Sequence, residues 1–172
     1  MFSLESQKVT LAHLNVRPEN HGDEKVGGAD LKIAFTDSNG LLSEFHPRLR
    51  HALYKADEHP DLPGFDEAPA EPTVRVFGDL IGALRLKHEL KGARVVIGFG
   101  LGGASDIDFE TADVDHFSVE LMEGGSARYG FRVKCNPTGE QIKRLYEVLG
   151  GEVDISVTPA VDKQQSLGLT LE

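Results

Sequence analysis

The order of apolar and polar residues along the chain predicts a succession of strands with few helices. In residues 8–16, Val9, Leu11 and His13 alternate with Thr10, Ala12 and Leu14, which is the two-residue repeat of a strand. Residues 30–36 place Leu31, Ile33 and Phe35 on one face of a second strand, expected to pair with the first. The polar stretch 17–28 between them holds Pro18 and three glycines and reads as a loop.

Residues 41–54 carry Leu42, Phe45, Leu49 and Leu53 at near-helical spacing, with Ser38 or Asn39 as a cap. Pro47 interrupts that pattern, so it predicts either two short turns or one kinked helix. Residues 55–72 are acidic and contain Pro60, Pro63, Pro69 and Pro72, the composition of an exposed, mobile loop within one domain spanning 1–172. Strands are expected next at 73–77, 83–90 and 93–99.

The clearest element is a hairpin. Phe117, Val119 and Leu121 alternate with Ser118, Glu120 and Met122; Gly124-Gly125 turns the chain; Ala127, Tyr129, Phe131, Val133 and Cys135 then alternate with Arg128, Gly130, Arg132 and Lys134. A tight turn of this kind needs positive φ, which glycine adopts freely. After Asn136-Pro137, Thr138 and Gln141 have the spacing of a capping box, with Ile142, Leu145, Tyr146 and Leu149 on one face of a helix that Gly150 and Gly151 end. Val153, Ile155 and Val157 make a strand of residues 152–158, and Leu167, Leu169 and Leu171 allow one more at the end. The fold expected is mainly β with one or two helices (α+β), an antiparallel sandwich or a partly open barrel. An OB-like barrel is one member of that class.

Composition narrows the function classes. With 19 glycines and 8 prolines the chain suits strands and turns better than a helical bundle. The net charge of −10 repels phosphate backbones except where cations gather on one face. One cysteine, Cys135, excludes an internal disulfide. Residues 1–8 show no apolar leader, and no run approaches the roughly 20 apolar residues of a membrane helix, so a cytoplasmic protein without membrane contact is expected.

Candidate chemistry is sparse, and no catalytic residue, metal ligand or cofactor is assigned. Residues 98–103 (GFGLGG) follow an apolar run, but another strand pattern succeeds them rather than a helix, and no Gly-Lys-Ser/Thr is present. They read as a strand-to-strand turn. Asp106, Asp108, Glu110, Asp113 and Asp115 resemble a calcium loop, yet Thr111 and Phe117 stand where an EF-hand needs Gly and Glu. The seven histidines form no ligand motif and read as surface or capping residues. Cys135 reads as a small packed hydrophobe.

Arg128, Arg132 and Lys134 share the outward face of the hairpin's second strand. Two readings stand. The three can pair with acids across the sheet, Glu120 among them, or form a strip that follows a phosphate backbone, as on single-strand-binding barrels. Such barrels supply aromatic stacking platforms, whereas Tyr129 and Phe131 fall on the opposite face.

The opening segment, residues 8–24 (KVTLAHLNVRPENHGDE) followed by Ala29-Asp-Leu-Lys-Ile, resembles a family of poorly characterised bacteriophage and prophage proteins. So do Gly124-Gly125 and Cys135-Asn136-Pro137 before a final helix and strand. The resemblance implies a non-enzymatic accessory protein of DNA metabolism or host takeover, and transfers no site residues. Together with the strip it leads to an expected single-stranded nucleic-acid-binding role through Arg128, Arg132 and Lys134. The alternative is an inhibitor that binds a host defence protein through an acidic surface.

Overall fold

The computed structural model describes residues 1–21, 24–58 and 70–160. A seven-stranded antiparallel sheet dominates it, with strands β1 (Leu4–His21), β2 (Glu24–Ser38), β5 (Leu84–Leu86), β6 (Leu90–Gly98), β7 (Ile107–Leu121), β8 (Ser126–Cys135) and β9 (Glu152–Thr158). Two short strands, β3 (Tyr54–Ala56) and β4 (Pro72–Arg75), pair with each other. The mainly-β expectation holds. The pairings run in a ring, β6–β9–β1–β2–β8–β7 and back to β6, with β5 added along β7.

Two long strands make the ring possible by changing neighbours along their length. β7 pairs with β6 through Ile107 to Val114 and with β8 through Asp113 to Leu121. Its register shifts between Asp115 and Ser118, where His116 adopts a φ of 52°. A bulge of this kind bends a strand and reverses which parity faces inward. With a first register shift between Phe109 and Ala112 and this second one, the buried residues of β7 run Ile107, Phe109, then Ala112, Val114, then Phe117, Val119, Leu121. β1 pairs with β9 from Leu4 to Thr10 and with β2 from Thr10 to His21. The ring is not a barrel, because no pairing among the described residues joins the start of β1 to the end of β2 beyond the pair Thr10–Ala34.

The inward faces of the ring form one core. Leu11, Leu31, Val95, Ile97, Val114, Val133 and Ile155 are fully buried in it. At one end Phe2 packs on Phe45, Phe117 and Phe131, with ring centroids 5.1, 4.9 and 5.8 Å away. Phe45 lies at the end of α1 (Leu42–Phe45), which α2 (Leu49–Leu53) follows after Pro47, so the two-turn reading of this segment is the one observed. Asn39, buried beside them, donates to the Pro72 carbonyl at 2.7 Å and accepts from Arg50 Nε at 2.8 Å.

The 117–122 and 127–135 segments pair as expected, from Leu121–Ala127 to Ser118–Gly130. Gly124 and Gly125 turn the chain at φ of 86° and 87°. Tyr54 Oη fastens this turn: it lies 2.9 Å from both the Met122 and Ser126 carbonyls and accepts from the Met122 amide at 3.0 Å. The last helix, α3 (Gly139–Glu147), starts at the expected Thr138–Gln141 capping box.

Three expectations need correction. Residues 17–28 are not a loop: β1 and β2 continue as a paired ribbon as far as His21–Glu24. The run of charged and polar residues there, broken by Pro18 and three glycines, carries no hydrophobic alternation to mark a strand. The strands expected at 83–90 and 93–99 are observed as β5, only three residues long, and β6, which starts earlier at Leu90. Of the face expected on α3, only Leu145 is buried, whereas Tyr146 is 70% exposed and Leu149 39%. The centre of the acidic 55–72 segment and the strand expected around Leu167 to Leu171 lie outside the described residues. No described helix is long and apolar enough to cross a membrane.

Candidate nucleic-acid interface

β8 alternates without interruption, so Arg128, Gly130, Arg132 and Lys134 all face outward while Tyr129, Phe131 and Val133 are buried. The strip is therefore real as a geometric feature. Its neighbours decide its charge. Across the β7–β8 ladder, Arg128 stands opposite Glu120, Arg132 opposite Asp115 and Lys134 opposite Asp113. On the other side, β2 sets Asp30 against Lys134 and Lys32 against Arg132. Each cation of the strip thus has a carboxylate in register on β7, and Arg132 closes on its own to ion-pair distance.

Arg132 makes the strongest of these contacts. Its Nε and one terminal nitrogen donate to the two carboxylate oxygens of Asp115, both at 2.7 Å, in a fork geometry that suits guanidinium and carboxylate. Both side chains are mostly shielded, at 22% and 14% exposure. The guanidinium holds the Asp115 carboxyl below its ordinary pKa, mainly by hydrogen bonding. Arg17 on β1 likewise donates to Asp30 at 2.9 Å. Arg128 is exposed. Gly130 leaves room for Ser118 on the facing strand, whose Oγ would lie 2.7 Å from an added Cβ.

Aromatic rings take the opposite side of the sheet. Tyr129 stacks on Phe35 with centroids 5.3 Å apart and donates to the Ser38 carbonyl at 2.7 Å. Phe131 packs at 5.7 Å from Phe117. The outer face of β8 therefore offers charge without a stacking surface.

The acidic string 106–115 is dispersed along β7 rather than gathered. Asp108 accepts two hydrogen bonds from Arg94 on β6, at 3.1 and 2.6 Å. Asp113 accepts from the Gly92 amide at 3.1 Å and lies 3.8 Å from Lys91. Among the described residues, no three His, Cys, Asp or Glu side chains come together as a metal-holding group. Residues 98–103 join β6 to β7 through a short turn with positive φ at Gly100, Gly102 and Gly103, as expected of a strand-to-strand connection.

Cys135 is buried, donates to the Ala29 carbonyl at 3.7 Å, and burial pushes its thiol up to about 12. It packs as a small hydrophobe. His46 is exposed and accepts from the Arg48 amide at 3.1 Å. His88 departs from the surface reading, since it packs edge-on against Phe45 and Phe117 at 5.4 and 5.2 Å.

A second feature was not visible in the sequence. Where β1 and β2 part above Thr10 and Ala34, a cleft of about 540 Å³ opens, lined by Lys8, Thr10, Phe35, Thr36, Arg128 and Glu152 among others. The alternating runs of β1 and β2 predict a pair, but they carry no sign of where the pairing stops.

In comparison with known proteins, no family model, no characterised protein and no solved structure matches the chain. The class that the fold defines is a ring-like, mainly antiparallel β protein.

Proposed function

We propose that this is a non-enzymatic binding protein whose partner is another protein. The observation that carries the reading is the charge matching of β8 by β7, with Arg132 locked to Asp115 at 2.7 Å. Arg132, already paired with a carboxylate one strand away, releases few counterions on meeting phosphate, and counterion release drives non-specific nucleic-acid affinity. The inward Tyr129 and Phe131 remove the stacking that single-strand binders add. On a chain of net charge −10, the remaining surface field disfavours a phosphate backbone. The likeness to phage and prophage proteins supports a host protein as that partner, in the manner of an inhibitor.

Capture from bacterial lysate on the immobilised chain, with and without nuclease, tests the reading. Retained proteins should survive nuclease treatment unchanged. Loss of all retained protein after nuclease would overturn the proposal and restore the single-strand one.

A further inference from the structure

The seam between β1 and β2 has a chemistry of its own. β1 pairs on one side with β9 from Leu4 to Thr10, and β2 pairs with β8 through Phe35, Thr36, Asp37 and Ser38. Between them, beyond Thr10–Ala34, no pairing is present among the described residues. Two strand edges therefore face one cleft. Main-chain N–H and C=O groups along such edges are directional, closely spaced and costly to leave unpaired away from water, and an extended chain supplies their complement.

The side chains specify what kind of chain. Val9 and Phe35 are buried at the level of the core, while Lys8 and Thr36 point to the outer face and are exposed. Lys8 and Arg128 bring two cations to the cleft against the single carboxylate of Glu152. Lys8 stands across from Asp154 and Arg128 across from Glu120, yet neither forms an ion pair with another described residue. This cleft is thus locally cationic on a protein whose net charge is −10.

We propose that the β1–β2 seam is a docking site for an extended acidic segment of a partner protein, which adds as a strand. The inference rests on the protein-partner reading above and names its site. The incoming strand places alternate apolar side chains toward Val9 and Phe35, and acidic ones toward Lys8 and Arg128. Main-chain pairing supplies affinity, and the two cations supply the preference for acid.

The probe is a fluorescein-labelled ten-residue peptide of alternating valine and glutamate, followed by fluorescence anisotropy and by amide exchange on the full chain. Binding is expected to protect amides of residues 4–9 and 35–38. The lysine–valine counterpart should bind at least tenfold more weakly, and the same valine–glutamate peptide N-methylated at every residue should not bind. Lys8→Glu with Arg128→Glu, both at exposed positions, should weaken binding at least tenfold while circular dichroism shows the sheet retained. No protection of the seam at millimolar peptide, or equal binding of the N-methylated peptide, would overturn the proposal. So would self-association of the chain abolished by the same two substitutions, because the occupant would then be a second copy. If nuclease-resistant capture from lysate persists undiminished in the Lys8→Glu, Arg128→Glu variant, this site is wrong while the protein-partner reading stands. If the unsubstituted chain captures nothing resistant to nuclease, the broader reading fails.

Discussion

Arg132 and Asp115 are cross-strand partners on β8 and β7, joined by two hydrogen bonds of 2.7 Å, and their pairing turns a basic strip into a balanced ladder. The pair sits on the outer face yet is mostly shielded from water, at 22% and 14% exposure. It therefore belongs between the weak exposed ion pairs and the costly buried ones.

Removing one partner leaves the other charge shielded and unpaired. Asp115→Asn or Arg132→Met should each cost about 1–2 kcal/mol, and the double change less than the sum of the two. Urea denaturation of the four proteins measures the coupling directly. Additive costs would show that the contact contributes nothing specific.

The pair also fixes a pH dependence. The Asp115 carboxyl is held below its ordinary value in the folded chain, so its contribution is fully present above the unfolded pKa of about 3.9. It is lost as pH falls through the lower folded value. Asp115→Asn should flatten the acid limb of the stability curve below about pH 4 relative to the parent.

His88 acts at higher pH. Burial against Phe45 and Phe117, and repulsion from the N-terminal ammonium, hold its imidazole below the ordinary value. The unfolded chain then binds the proton more readily, so stability is complete above about pH 6.5 and declines as pH falls below it. The melting temperature should drop by a few degrees between pH 7 and pH 5, and His88→Phe should remove part of that drop. An unchanged drop in the variant would assign the loss to other groups.

Cys135 gives a probe of global opening. With its thiol buried and pushed up to about 12, it should resist a thiol reagent at pH 8 in the folded protein. Labelling should appear only as urea unfolds the chain, with the same midpoint as the loss of circular dichroism. Rapid labelling without denaturant would show that the β2–β8 end of the sheet opens locally.

Much of the sheet was legible because its signals are local. The Gly124-Gly125 turn, the Thr138–Gln141 capping box and the alternation of β8 and β9 each depend on residues a few positions apart. The ring was not legible, because closure depends on β7 choosing two neighbours. The bulge at His116 also hid the charge ladder: Asp113 and Asp115 share a face with Ser118 and Glu120 only because the alternation changes parity between them. Read as one regular strand, that segment sends the two pairs to opposite faces. The 17–28 ribbon escaped notice for a different reason, since its charged and polar residues, with Pro18 and three glycines, carry no hydrophobic period.

The central claim is that the cations of β8 belong to the sheet and not to a phosphate backbone. Fluorescence anisotropy with a labelled single-stranded oligonucleotide, at low and at high salt, tests it most directly. The account predicts no binding at either salt concentration, and a modest loss of stability when Arg128, Arg132 and Lys134 are together replaced by Ser. Binding at low salt that falls steeply with added salt, and disappears in the triple variant while the melting temperature holds, would contradict it.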